Sequence, residues 1–208
     1  MTTERRYAEL HAHSAFTFLD GTDEPARMVE EAARLGLDAL AILDVDGMYS
    51  TVQTTMAARA AGLPIVYGAE LTLTSNACGK FVPGSSAPGW GLAPGADEPG
   101  IRLPILAASP SGYANLVGTM SKRALSAPGE RNPRYRLVDL SEAGGDLVVL
   151  TGGRRGPLMR ALRAGGMATA RRVLDGLVDA FGRDHVLVEW QAARGDEDEV
   201  ADTLADLA

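Results

Sequence analysis

Short apolar runs alternate along this chain with longer stretches whose apolar positions recur every three or four residues. Residues 7–11 read as a strand. Residues 24–35 read as a helix, because Met28, Val29, Ala32, Ala33 and Leu35 recur at helical spacing and would face inward. Asp23 stands where an N-cap is expected, Pro25 suits the first turn, and Gly36 suits the exit. Further strands are expected at 38–43, 63–73, 101–108, 146–151 and 185–190. Helices are expected at 48–61, 111–125, 158–163, 168–181 and 197–207, with Gly165-Gly166 separating the third from the fourth of these. Residues 75–100 are rich in Gly, Pro, Ser and Ala and read as a long surface loop; 126–136 reads as a second loop. Strand and helix in repeated alternation predict an α/β fold with parallel strands and crossover helices. An open doubly wound sheet and a β/α barrel share that pattern. No G-x-G-x-x-G follows the first strand, so a dinucleotide fold has no positive sign.

Composition narrows the function classes. A chain of 208 residues with 46% hydrophobic content can bury a substantial core. Cys78 is the single cysteine, which excludes an internal disulfide and is compatible with a reducing cytoplasm. The N-terminus lacks the apolar stretch of a signal peptide, and no run reaches the roughly 18 apolar residues of a membrane span. The net charge of −7 argues against a module that grips DNA backbone by itself, since phosphate contacts come from Lys and Arg. The local basic clusters at Lys122-Arg123, 131–136 and Arg154-Arg155 read as solvated faces.

The candidate chemistry lies at strand ends. His11 and His13 are two apart at the end of the first strand, so their imidazoles point to the same side. Two solvated histidines on a polar strand end would look the same, but only three histidines exist in the chain. Asp20 follows in the first loop, as a further ligand or as a turn residue before Gly21. Asp44 and Asp46 follow the second strand and bind metal, orient ligands or cap the helix beginning near Gly47. Glu70 falls within an apolar strand, where a carboxylate needs a metal, a histidine or another cation, or else an outward face. His185 has no ligand-type spacing with these residues and reads as structural.

With those residues in place, the stretch from Tyr7 to Gly21 resembles the opening motif of the PHP (polymerase and histidinol phosphatase) domain of bacterial polymerase III alpha subunits, most nearly the error-prone type. The resemblance continues through 40–49, 64–70, 106–113 and 150–157, in the same order over nearly the whole chain. It implies one PHP domain over 1–208, a distorted β/α barrel that lacks its closing part, and a mouth built for three metals. By position, His11, His13, Asp20 and Glu70 match family ligands. Asp44 and Asp46 would stand behind them.

Departures from the family pattern qualify that implication. Val45 stands where the family has a histidine, Arg102 replaces a second histidine, and Gly153 occupies the place of a cysteine. A final Asp-x-His motif would lie beyond residue 208. The resemblance therefore implies a degenerate site holding one divalent ion (zinc, manganese or iron) rather than three. The function it implies is the N-terminal, mainly structural part of an error-prone DNA polymerase of translesion synthesis and repair. This part would be cytoplasmic and unable to polymerise alone. It would work with the remainder of the polymerase, with DNA through that remainder, and with a sliding clamp and damage-response proteins. The alternative is a stand-alone metal-dependent phosphoesterase of the same family.

Overall fold

The computed structural model describes residues 6–74, 100–126, 133–144, 146–191, 204–205 and 207–208. Nearly all of the Gly/Pro-rich stretch at 75–100, with Cys78, and most of the helix expected at 197–207 fall outside these residues. Among the described residues the fold is α/β. The strands are β1 (Ala8–Ala12), β2 (Ala39–Ile42), β3 (Gly68–Thr72), β4 (Arg102–Ala107), β5 (Leu147–Leu150) and β6 (Val186–Leu187). The helices are α1 (Pro25–Arg34), α2 (Thr51–Ala61), α3 (Pro110–Ser126), α4 (Leu137–Ser141) and α5 (Pro157–Phe181). No helix among the described residues is long and apolar enough to cross a membrane.

Strands β1 and β2 pair in parallel, and β3-β4-β5-β6 form a second ladder. Parallel bridges Leu40↔Ile65 and Val45↔Glu70 join the two, so β2 leads into β3. Parallel pairing also holds for β5 and β6, but β4 runs antiparallel to both neighbours. The reason lies in how the chain returns. After α3, residues around Tyr135 sit beside Leu73, at the Arg102 end of β4. The segment that holds α4 then travels back to the other end, where Leu147 pairs with Ala107. Two traverses cancel, and β5 starts where β4 stops. Hydrophobic periodicity carries no direction, and five residues of α4 are too few to show a helical period, so the sequence reading assigns no element there.

Two further differences are local, and one expectation is met. Glu24, not Asp23, is the N-cap of α1, without a side-chain cap bond; the Asp23 carbonyl instead accepts the Ala15 N–H at 2.8 Å. Leu35 caps the C-terminus of α1 and is exposed rather than inward, while Val29 and Ala32 are buried. The two helices expected around Gly165-Gly166 are present as the halves of α5, separated by non-helical backbone at Gly165 (φ −151°) and Gly166 (φ +65°).

The main core packs β3, β4 and β5 against α3, α4 and α5 through residues such as Leu103, Ile105, Leu116, Leu140, Val149, Leu158 and Leu177, all fully buried. A second cluster joins α1 and α2 to β2 through Val29, Ala32, Leu40 and Ala58. A third, with Leu43, Leu106 and Leu150 and with Leu10 beside it, ties the two ladders together. Such burial contributes about 25 cal/mol per Å² of apolar surface removed from water.

Gly68 opens β3 because a Cβ there would stand 2.1 Å from the Ile105 carbonyl oxygen. Gly68→Ala is expected to lower the unfolding free energy by about 1–3 kcal/mol in urea titrations. Gly118→Ala meets nothing within 4 Å in the interior of α3. It is expected to raise stability by about 0.5–1 kcal/mol. Equal effects at the two sites would contradict the close approach of β3 and β4.

Candidate metal centre

His11 and Glu70 stand on β1 and β3, and His13 follows the end of β1. Their donor atoms lie within 4.8 Å of one another. The Nε2 of His11 is 3.3 Å from Glu70 Oε1, and the Nε2 of His13 is 3.2 Å from Glu70 Oε2. The two rings meet edge to face with centroids 5.2 Å apart. The His11 and Glu70 side chains are 6% and 5% exposed. Neither Nε2 has a hydrogen-bond partner, because the approach to Glu70 is close but poorly aligned. Each imidazole stands in an ion-pair contact with one Glu70 oxygen.

The other nitrogen of His11 is well used. Its Nδ1 is 2.6 Å from Glu189 Oε1 and 3.3 Å from the Gln191 side-chain nitrogen. With Nδ1–H given to Glu189, the Nε2 proton is the one an incoming cation would displace, and a ligating histidine is usually oriented by such a partner on its other nitrogen. Glu189 is held in turn by its backbone N–H, which donates to Thr151 Oγ1 at 2.9 Å. This contact joins the residues after β6 to β1, 178 positions apart, where no backbone ladder is described.

The spacing suits one ion. Two donors about 2.0–2.1 Å from a single ion at a tetrahedral angle stand about 3.3 Å apart. His11 Nε2 and His13 Nε2 each stand at about that separation from one Glu70 oxygen, Oε1 at 3.3 Å and Oε2 at 3.2 Å, and neither buried nitrogen has another hydrogen-bond partner. His11, His13 and Glu70 thus fit a divalent metal.

Asp20 is not in that group. Its Oδ2 accepts from Arg102 Nη1 at 2.7 Å and from Arg155 Nη1 at 2.6 Å. Arg102 Nη1 also reaches Glu70 Oε2 at 3.3 Å, so one guanidinium spans both carboxylates. Leu19, at φ +68°, turns the chain just before Asp20. The Gly153 position faces Gln191, whose Oε1 would be 1.9 Å from an added Cβ, so no larger side chain fits while Gln191 stays. Val45 pairs with Glu70 across the parallel bridge, and its N–H donates to Thr17 Oγ1 at 3.1 Å.

Asp44 and Asp46 position the frame rather than the donors. The buried Asp44 carboxylate accepts from Ser14 N, Ser14 Oγ, Thr17 Oγ1 and Ser50 N at 2.8–3.2 Å, which fixes the loop after His13. The Glu70 N–H donates to the Asp44 carbonyl, and the Asp46 N–H donates to the Glu70 carbonyl, at 3.2 and 2.9 Å. The Asp46 carboxylate, at φ +54°, accepts from the N–H and Oγ1 of Thr72 at 2.7 and 2.6 Å. His185 donates from Nδ1 to the Leu147 carbonyl at 2.9 Å, a structural tie.

The electrostatics follow from the packing. Burial disfavours the charged His11 ring, but Glu189 and then Glu70 outweigh it and raise its pKa to about 9. Burial likewise opposes ionisation of Glu70, yet His11 and His13 hold it at about 2. Burial also works against the Asp20 charge, while Arg102 and then Arg155 keep its pKa below the ordinary value. Desolvation wins at Asp46, whose pKa is raised despite its bonds to Thr72.

Glu189, Gln191 and the ion-pair role of Arg155 were not assigned from sequence. The one available sign was an acid closing the apolar run 186–188.

Comparison with known proteins gives the family. Residues 9–193 match the family model described as "PHP domain". The chain is 45% identical over 184 residues to an error-prone DNA polymerase of Mycolicibacterium paratuberculosis, covering 88% of this chain and 16% of that protein. It is 40% identical over 205 residues to the error-prone DNA polymerase of Cutibacterium acnes, covering 97% of this chain and 17% of that one. Among solved structures, a Bifidobacterium adolescentis protein assigned as a metal-dependent phosphoesterase is similar at 20% identity and a TM-score of 0.39. It covers 84% of this chain and half of its own, and the score is too low to carry an argument.

Stability without metal is expected to depend on pH with a definite sign. His11 is raised from 6.5 to about 9, so its contribution is complete below pH 6.5 and lost as pH climbs to about 9. Glu70 is lowered from 4.5 to about 2, so its contribution is complete above pH 4.5 and lost on acidification. Urea midpoints in chelator should form a plateau between those limits, and His11→Asn should flatten the alkaline limb. An unchanged alkaline limb in that variant would contradict the His11–Glu189 pairing.

Proposed function

Because the chain belongs to the PHP domain family, we propose that it serves as the N-terminal PHP segment of an error-prone DNA polymerase of translesion synthesis and repair, working in the cytoplasm. Its role there is mainly structural. The site is a reduced one: a single divalent ion on His11, His13 and Glu70, with Asp20 kept out. Nucleotidyl transfer, contact with DNA, and any sliding clamp or damage-response partners belong to the remainder of such a polymerase.

The observation that carries this reading is the division of the carboxylates. Glu70 faces two partnerless imidazole nitrogens, whereas Asp20 is taken by two arginines. A divalent ion held by the first set would act as a Lewis acid toward a phosphoryl oxygen or a water. The chain's own residues do the rest. Glu189 orients His11, Asp44 fixes the loop that follows His13, and Arg102 neutralises Glu70 and Asp20. The phosphoesterase alternative needs several ions and free carboxylate ligands at the rim, and Asp20 is not free.

Elemental analysis after purification without chelators should give about one equivalent of Zn, Mn or Fe per chain. The double variant His11→Ala/His13→Ala should carry none. A folded parent that binds no metal would sink the residual-centre reading and leave a purely structural domain. Val45 lies on the same face as Glu70 across their parallel bridge. Val45→His is therefore expected to tighten metal binding in competition with a chromogenic chelator. An affinity equal to the parent's would disprove that placement.

A further inference from the structure

We infer that the Arg102 guanidinium is a built-in cation that stands in place of a second divalent ion, and that removing it opens a second metal subsite between Asp20 and Glu70. The inference rests on the reading of a single ion on His11, His13 and Glu70 and extends it to the neighbouring subsite.

Two carboxylates that approach a common point in a partly buried cleft need a cation between them. Asp20 and Glu70 come from distant parts of the chain, the first loop and β3, and meet only through Arg102. Arg102 Nη1 lies 2.7 Å from Asp20 Oδ2 and 3.3 Å from Glu70 Oε2, the arrangement of a point cation shared by two ligands. Its side chain is 15% exposed, and its backbone N–H is tied to the Arg155 carbonyl at 3.2 Å, so the guanidinium is placed by β4 and not by chance on a surface. Arg155 covers the outer side of Asp20 at 2.6 Å and is far more exposed, at 46%.

An independent sign comes from the inner side. Glu70 also faces the partnerless Nε2 of His11, whose side chain is more than nine-tenths buried. One carboxylate therefore has an arginine on one flank and an unfilled donor set on the other. A guanidinium keeps its charge at every working pH. The Asp20 side of the cleft is thus closed to metal at every working pH, while the His11 side stays open.

Metal uptake in three variants tests this. Arg102→Gln removes the charge and shortens the side chain, and is expected to raise bound Mn or Zn from about one to about two equivalents per chain. Asp20→Asn alone should leave uptake at the parent value, because Asp20 is no ligand while Arg102 is present. Arg102→Gln/Asp20→Asn should return to the parent value, because the new subsite needs the Asp20 carboxylate. Circular dichroism and the thermal midpoint in chelator show whether each variant is folded. Arg102→Lys, which keeps the charge, replaces Arg102→Gln if the latter does not fold, and should show no gain.

A folded Arg102→Gln that takes up no more metal than the parent overturns the inference. So does a loss of metal in Asp20→Asn, which would make Asp20 an existing ligand; that arm stands whether or not Arg102→Gln folds. A parent that binds no metal overturns only the reading of the single ion. The Arg102 inference is then decided by Arg102→Gln against Arg102→Gln/Asp20→Asn.

Discussion

One buried carboxylate organises the cleft. Glu70 sits in the interior of a strand with both of its oxygens engaged, one beside His11 and the other beside His13 and Arg102. An unpaired carboxylate at that depth would cost several kcal/mol. Every element near it is placed so that a cation reaches it. β1 brings the imidazoles, β4 brings the guanidinium, and the segment after β6 brings Glu189 to hold His11 upright. The backbone of Glu70 is fixed equally firmly, between the carbonyl of Asp44 and the N–H of Asp46. Removing any one cation leaves the others to compensate a charge that cannot escape to solvent.

That constraint would let the proposed reduced site keep the shape of the cleft. A metal is the usual partner of such a carboxylate, but an arginine satisfies the same electrostatic need permanently and without exchange. On the Asp20 side the arginine has taken that role, with Arg155 closing the outside. Gln191 fills the space beside Gly153, and Val45 presents an aliphatic side chain toward Glu70's face. The hydrophobic frame of the PHP domain is intact around these changes, with the β3–β5 core fully buried. The proposed structural role within a larger polymerase draws on this packing and not on the metal. The chain spans about a sixth of the polymerases it resembles.

Much of this was legible in the sequence, for identifiable reasons. His11 and His13 could be placed together because a strand repeats every two residues. Glu70 stood out because an acid inside an apolar strand needs a partner. The resemblance to the family implied that Arg102 stands where the family has a histidine. What could not be read depends on contacts between distant segments. Glu189 matters only because the chain beyond β6 arrives next to β1, 178 residues away, and no local pattern encodes that meeting. The reversal of β4 depends on a return path through α4 too short to leave a periodic trace. Asp44 looked like a ligand partner or a cap because its residue type suits both. Its four donors come from Ser14, Thr17 and Ser50, and only the folded loop brings them together.

The most direct test of the central claim is anomalous diffraction from crystals of the protein grown with manganese or zinc. The account predicts one anomalous peak within bonding distance of His11 Nε2, His13 Nε2 and a Glu70 oxygen, with Arg102 still bridging Glu70 and Asp20. Peaks on both sides of Glu70 with Arg102 swung away, or a single peak bound by Asp20, would contradict it.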